Sequence, residues 1–206
     1  MNHHTQPASG HDIEPRRRQI LETATDLFLK HSYERATMRS VGKAVGIDPA
    51  TIYYYFPSKE ALLVEILESS LAQLLSDLQD AYEGDVPIQE RFGRAVEAHV
   101  LRATRGNQAL HDLCFNYLSD AAKKIVSKKR DMVDAIWKEI FHEALQASVL
   151  QVNDISLGRL HLITAMNGTY RWYKPGGRLD PQRIAKSLVD LYVVPVAKTR
   201  GERRAS

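Results

Sequence analysis

Asp48-Pro49-Ala50-Thr51-Ile52-Tyr53-Tyr54-Tyr55-Phe56-Pro57-Ser58-Lys59-Glu60 holds a helix start, three successive tyrosines and a helix restart. Asp48 can cap free backbone N–H groups and Pro49 suits the first helical position, so a helix begins there. That helix is short, because Pro57 disfavours helical geometry at Phe56 and Ser58 can cap a new helix running through Ala61, Leu62 and Leu63. Ile52 and Phe56 are related as i and i+4 and can share a buried face, which leaves Ala50, Thr51, Tyr53 and Tyr54 to point outward. Small side chains let a helix N-terminus approach a groove floor, and hydroxyls donate to phosphates without carrying charge. The outward face suits a nucleic-acid surface.

Upstream, Thr37 caps a helix whose buried side would carry Met38, Val41, Ala44 and Val45, and Gly46 ends it. Before it, Ile20, Leu21, Ala24, Leu27 and Phe28 mark one face of a helix over 14–30. The three together are a helix-turn-helix with a supporting first helix. Downstream the apolar residues repeat at three and four, with no convincing strand period. Helices are expected over 59–81, 88–103, 108–118 and 121–147. An eighth starts at the Asp154 cap and ends near Tyr173, and a ninth follows Asp180-Pro181 through Ile184, Leu188 and Leu191. Among the apolar positions of the seventh are Ile125, Val133, Ile136, Trp137, Ile140, Phe141 and Ala144. The expected fold is all-α, with nine helices and no sheet. Residues 1–13 should be disordered. A DNA-binding domain takes 14–74, with its helix-turn-helix at about 37–56; a second helical domain takes 75–198, and a basic tail 199–206.

The chain has 206 residues, 44% of them apolar, enough for a proper core. No apolar run approaches the roughly 18 to 20 residues that span a bilayer, and no secretory signal opens the chain, so no membrane partner and a cytoplasmic place are expected. The single cysteine, Cys114, excludes an intrachain disulfide and a cysteine-rich metal site. Net charge is only +3, and residues 1–60 hold eight Lys/Arg against seven Asp/Glu, so bulk charge does not point to a polyanion. Local clusters do more: Arg16, Arg17 and Arg18 lie ahead of the first apolar positions of the first helix, and Lys198, Arg200, Arg203 and Arg204 lie in the tail. Both clusters also fit a solvated end.

The residues Ile20-Leu21, Ala24, Leu27-Phe28, Tyr33, Thr37-Met38, Ala44-Val45-Gly46-Ile47, Thr51-Ile52-Tyr53, Tyr55-Phe56, Lys59-Glu60 and Leu62 resemble, in identity and spacing, the N-terminal domain of TetR-family transcriptional regulators. Two departures stand out. Ser32 occupies a usual glycine before the tyrosine, and Gly42 a usual alanine, at a cost of roughly 1 kcal/mol in helix propensity. The resemblance implies a homodimer whose recognition helices enter successive major grooves of a near-palindromic, double-stranded operator. It assigns DNA contacts to Thr37, Arg39, Ala50, Thr51, Tyr53, Tyr54, Tyr55 and Lys59. Arg39 and Lys43, i and i+4 on an exposed face, could both reach phosphates. Base reading would fall to Ala50, Thr51 and Tyr54, whose methyls or ring can meet a thymine methyl. Tyr55 could equally be a packed ring with only its hydroxyl exposed.

The resemblance also implies a small-molecule effector and no cofactor. Gly158, His161, Ala165, Gly168 and Trp172 form a stripe on the eighth helix that, with Leu188 and Leu191 of the last, could build a symmetric dimer seam or pack within the subunit. Asn167 and Arg171 either hydrogen-bond the chain around 170–177 or hold an acidic effector group. The run Asn167-Gly168-Thr169-Tyr170-Arg171-Trp172-Tyr173-Lys174-Pro175-Gly176-Gly177 is similar to a segment of TetR-type regulators of fatty-acid and steroid catabolism, several of which respond to acyl-CoA thioesters. That likeness implies an amphipathic ligand, its apolar part among Phe115, Tyr117, Trp137 and Phe141, and its phosphates near Arg171, Lys174 or Lys123-Lys124. Ordinary core packing is the competing account of each aromatic.

An enzyme needs a constellation. Glu139-Ile140-Phe141-His142 lacks the second Glu-x-x-His that a di-iron bundle requires, and Gln146 stands where a zinc-protease helix has its second histidine. No phosphate-binding glycine loop occurs. Neither an enzymatic role nor a metal is expected; the rival is a helical dimeric interaction protein without specific DNA binding.

Overall fold

The computed structural model describes residues 10–193; the disorder expected for 1–9 and the tail cations Lys198, Arg200, Arg203 and Arg204 fall outside the described residues. Nine α-helices form among them: α1 Gly10–His31, α2 Met38–Val45, α3 Pro49–Tyr55, α4 Lys59–Tyr82, α5 Ile88–Thr104, α6 Asn107–Cys114, α7 Asp120–Gln146, α8 Ile155–Gly168 and α9 Pro181–Tyr192. Short 3-10 turns follow α6 at Phe115–Tyr117 and α8 at Thr169–Arg171. Among the described residues no strand forms, and an isolated bridge joins Leu150 to Val193. Residues 10–13, expected to be disordered, are helical. Extending a helix beyond a buried segment is far easier than nucleating one, so missing periodicity does not stop it.

Internal packing divides the chain into two units: one up to Leu75 with Arg102–Val133, the other Ser76–Leu101 with Asp134 onward. In the first, Ile20, Ala24 and Phe28 of α1 are buried, as are Met38, Val41 and Val45 of α2, Ile52 of α3, Phe56 after it, and Leu62, Leu63 and Leu67 of α4. In the second, Leu78, Phe92, Val96, Trp137, Ile140, Phe141, Leu162 and Met166 are buried. Two expected core positions are corrected. Ala44 is exposed, because the buried face of the eight-residue α2 runs through Met38, Val41, Gly42 and Val45. Ile125 lies on the solvent side of α7, between the buried Ala122 and Val126.

The cap residues act as their chemistry requires. Thr37 Oγ1 accepts from Ser40 N–H at 3.1 Å while Ser40 Oγ accepts from Thr37 N–H at 3.0 Å, a reciprocal box. Asp48 accepts from Ala50 N–H at 2.7 Å, Ser58 Oγ from Ala61 N–H at 3.0 Å, Asp154 from Leu157 N–H at 2.8 Å and Asp180 from Arg183 N–H at 2.7 Å. Gly46 closes α2 at φ 76°, a left-handed conformation that glycine adopts freely.

The two departures from the family pattern have opposite structural meanings. Ser32, just past α1, sits at φ 69°, where a side chain is strained. Gly42 is buried, yet a Cβ there would stand 3.5 Å from the Ile47 carbonyl oxygen and 3.6 Å from Pro49 Cα, ordinary contact distances. Both sites therefore leave stability to be gained. Ser32→Gly should stabilise the chain by about 1 kcal/mol and Gly42→Ala by about 0.4–1 kcal/mol, read as a higher urea midpoint at unchanged slope. A lower midpoint for Gly42→Ala would show that the turn after α2 cannot accept a methyl group.

Candidate nucleic-acid interface

A seven-residue helix anchored by one buried residue within it and one just past it presents most of its other side chains outward. Ile52 and Phe56 are 0% and 1% exposed, whereas Ala50, Thr51, Tyr53 and Tyr54 all face solvent, Tyr54 at 75%. Tyr55 is half-buried and meets the Tyr54 ring edge-on, centroids 5.4 Å apart. Thr37, Arg39 and Lys43 of the preceding helix are exposed, and neither cation pairs with a carboxylate of the described residues. The assembled face is small and apolar at its start, phenolic after it and flanked by two unpaired cations.

Two other cations are turned inward. Arg17 makes a two-pronged ion pair with Glu65 of α4, donates from Nη1 to the Tyr55 carbonyl at 2.8 Å and lies 4.4 Å above the Phe56 ring. One guanidinium thus ties α1 to α4 and holds the C-terminal end of α3. Lys59, expected on a phosphate, donates to the carbonyls of Tyr33 at 2.8 Å, Ala36 at 3.0 Å and Glu34 at 3.4 Å, and sits 4.3 Å over the Tyr33 ring. An ammonium has three protons, so none remains for a phosphate in this arrangement. In this arrangement Lys59 positions the loop before α2 and is turned from the phosphate contact expected of it. Arg16 is also partly tethered, donating to Gln19 at 2.9 Å and the Val45 carbonyl at 3.5 Å.

The side chains expected around an effector fall in both units, Phe115 in the first and Trp137, Phe141, Asn167 and Arg171 in the second. Trp137 and Phe141 are fully buried in the second unit's core, with Phe92 5.6 Å from Phe141. Trp137 Nε1–H donates to His99 Nδ1 at 3.0 Å, which leaves His99 Nε2–H to donate to Asn167 Oδ1 at 2.8 Å. Asn167 therefore serves a buried imidazole. Burial pushes His99 down to about 4, the Asn167 hydrogen bond opposing it. Arg171 is exposed and donates from Nε to the Tyr170 hydroxyl at 3.2 Å. Phe115 belongs to the first unit, under the Arg130 guanidinium at 4.0 Å.

The small-residue stripe of α8 divides between a buried and an exposed side. Gly158 is buried, and a Cβ on it would fall 2.8 Å from Val152 Cγ1, so its smallness serves the subunit itself. The exposed face is Leu157, Leu160, His161, Thr164 and Ala165, spaced by three and four, with Leu157 54% and Leu160 48% exposed. Gly168 has no neighbour within 4 Å of a Cβ, Leu188 is half-buried, and Trp172 and Leu191 are exposed. Sequence reasoning missed His99 and left Arg17 undecided. Their signal was periodicity: Arg17 precedes Ile20 and Ala24, and His99 follows Phe92 and Val96, each at buried-face spacing.

Comparison with known proteins identifies the family and the fold. The family model described as bacterial regulatory proteins, tetR family, matches residues 20–66, and that described as Tetracyclin repressor-like, C-terminal domain, matches 85–195. The repressor KstR2 of Rhodococcus jostii is 26% identical over 185 residues, 85% of this chain and 88% of its own. The regulator PfmR of Thermus thermophilus superposes with a TM-score of 0.77 at 25% identity, over 84% of this chain and 95% of that one. AibR, solved with isovaleryl coenzyme A and operator DNA, gives 0.74 at 26% identity, over 85% and 97%.

The inward and outward cations should separate in experiment. Arg39→Ala should lower the slope of log affinity against log salt by about 1 and leave the thermal midpoint in place. Lys59→Met should instead cost about 1–3 kcal/mol of stability with the slope unchanged. The buried histidines give a pH signature: His99 and His111 both lie at about 4 when folded against an ordinary 6.5. The unfolded chain takes up protons first, so stability is complete above about 6.5 and is lost as pH falls toward 4. Urea unfolding across that range should show a loss of at most about 1.4 kcal/mol per pH unit per histidine. A profile flat from pH 7 to 5 would remove the neutral imidazoles.

Proposed function

From a chain that belongs to the TetR family of transcriptional regulators and carries its helix-turn-helix DNA-binding domain, we propose a homodimeric repressor that reads a near-palindromic operator and is released from it by a small amphipathic effector. The observation that carries the reading is the solvent face of α3, where Ala50, Thr51, Tyr53 and Tyr54 stand free while Ile52 and Phe56 are buried. Thr51 and Ala50 offer methyl groups to thymines, Tyr54 its ring, and Tyr53, Arg39 and Lys43 fix the phosphates. The hydroxyl of Tyr55 can join them from the edge. Thr37, beside the backbone at the start of α2, completes the set.

The exposed stripe of α8 supports the dimer. Leu157, Leu160 and Ala165 are apolar, Thr164 is small and His161 is polar, while Gly168, Trp172, Leu188 and Leu191 extend the candidate seam. The dimer sets its recognition helices about one DNA turn apart, and effector binding shifts the population away from that spacing. An acyl-CoA thioester is the effector class that AibR, crystallised with isovaleryl coenzyme A, brings to the proposal. Among the described residues no helix is long and apolar enough to cross a membrane, in keeping with a cytoplasmic place of action.

Selection of random duplex DNA on the purified protein, followed by release with acyl-CoA thioesters, tests the proposal. A palindromic motif with half-sites about 10 base pairs apart is expected. Tyr54→Ala should then lose about 1–3 kcal/mol on the selected site and little on random DNA. No enrichment even at low salt would bring forward the interaction protein.

A further inference from the structure

Arg130, on the half of α7 that belongs to the first unit, is a cation without a counter-ion in contact. Its guanidinium is half-buried and stacked 4.0 Å above the Phe115 ring. Its hydrogen bonds run from Nη2 alone, to His111 Nδ1 at 3.3 Å and the His111 carbonyl at 3.4 Å. Charged hydrogen bonds normally close to about 2.7–2.9 Å, so these hold the group without satisfying it. Nη1 and Nε have no partner among the described residues, yet neither is sealed from solvent. Asp112 is the carboxylate that acts on Arg130 through space, and no ion pair joins them among the described residues. Burial lowers the cation's own affinity for its proton, the mark of a charge in poor surroundings.

His111 adds an independent observation. It is 3% exposed, and because Nδ1 accepts from Arg130, its proton sits on Nε2. That Nε2–H lies against the Leu67 backbone, which favours the proton, without a well-aligned hydrogen bond among the described residues. The two ring nitrogens face opposed edges, so Nδ1 is the atom that holds the guanidinium and Nε2–H is turned away from it. A planar fork with Nη1 and Nε open, on an aromatic floor, matches an oxyanion, which can take two parallel N–H bonds from the fork.

We propose that Arg130, with Phe115 beneath it and His111 beside it, is the anion-binding centre of the effector site and takes a carboxylate or phosphoryl group. The effector role rests on the repressor reading above; the anion site does not. A neutral drug or an unmodified steroid would leave the guanidinium as it is, whereas an acid or phosphate ester would answer its charge.

The test uses the full chain, with sodium octanoate and inorganic phosphate as separate probes against chloride at matched ionic strength. The wild type should show a saturable rise in thermal midpoint with at least one probe, octanoate identifying a carboxylate site and phosphate a phosphoryl one. Arg130→Gln should abolish the rise, and Arg130→Lys, which keeps the charge without the fork, should weaken it at least tenfold. The imidazole signals of His111 give a readout that a purely structural arginine would not move. Its titration midpoint should rise when an anion neutralises Arg130. If the wild type responds to neither probe beyond chloride, or Arg130→Gln responds equally, the inference falls while operator binding stands. If the anion binds at Arg130 but no operator is ever selected, the site stands and the repressor reading falls.

Discussion

A helix of seven residues has no stability of its own, since nucleating one is unfavourable and two turns repay little of that cost. The recognition helix exists because its neighbours hold it. Ile52 and Phe56 bury themselves at about 1.5–3 kcal/mol each, Asp48 closes one end, and Arg17 grips the carbonyl of Tyr55 at the other. The grip is anchored by Glu65 of α4, so the reading face is positioned by a helix that does not carry it. Because the anchors face inward, the remaining side chains of α3 are free to differ without disturbing the fold.

Cations in this protein divide by where their donors go. Arg39 and Lys43 remain in solvent, available to a polyanion. Arg17 and Lys59 are absorbed by carbonyls and ring faces, and they set geometry instead of supplying charge. Arg130 is intermediate, desolvated but unpaired by contact. Net charge cannot register these distinctions, which is why a total of +3 says so little about what the surface does.

The second unit is organised around a polar thread in an apolar core. Trp137, His99 and Asn167 hydrogen-bond in series, and the neutral imidazole accepts on one side and donates on the other. This fixes Trp137 at the centre of the Phe92–Phe141 cluster and commits Asn167 Oδ1 to His99. A protonated His99 would confront the indole N–H with a second donor, so the network requires the neutral form that burial enforces.

By itself the sequence determined the helical architecture, because caps, prolines and apolar spacing are local properties. Asp48, Ser58, Asp154 and Asp180 each cap the helix expected of them. It also determined the outward set of α3, since i,i+4 spacing of two large apolar residues leaves little choice. Only the tertiary structure decided what distant partners do to a side chain. Lys59 reaches back to the loop around Tyr33, Gly158 fits beneath Val152, and Asn167 serves His99. Each depends on a contact between segments whose separation no periodicity reports, and a polar group's role is set by the partner that satisfies it.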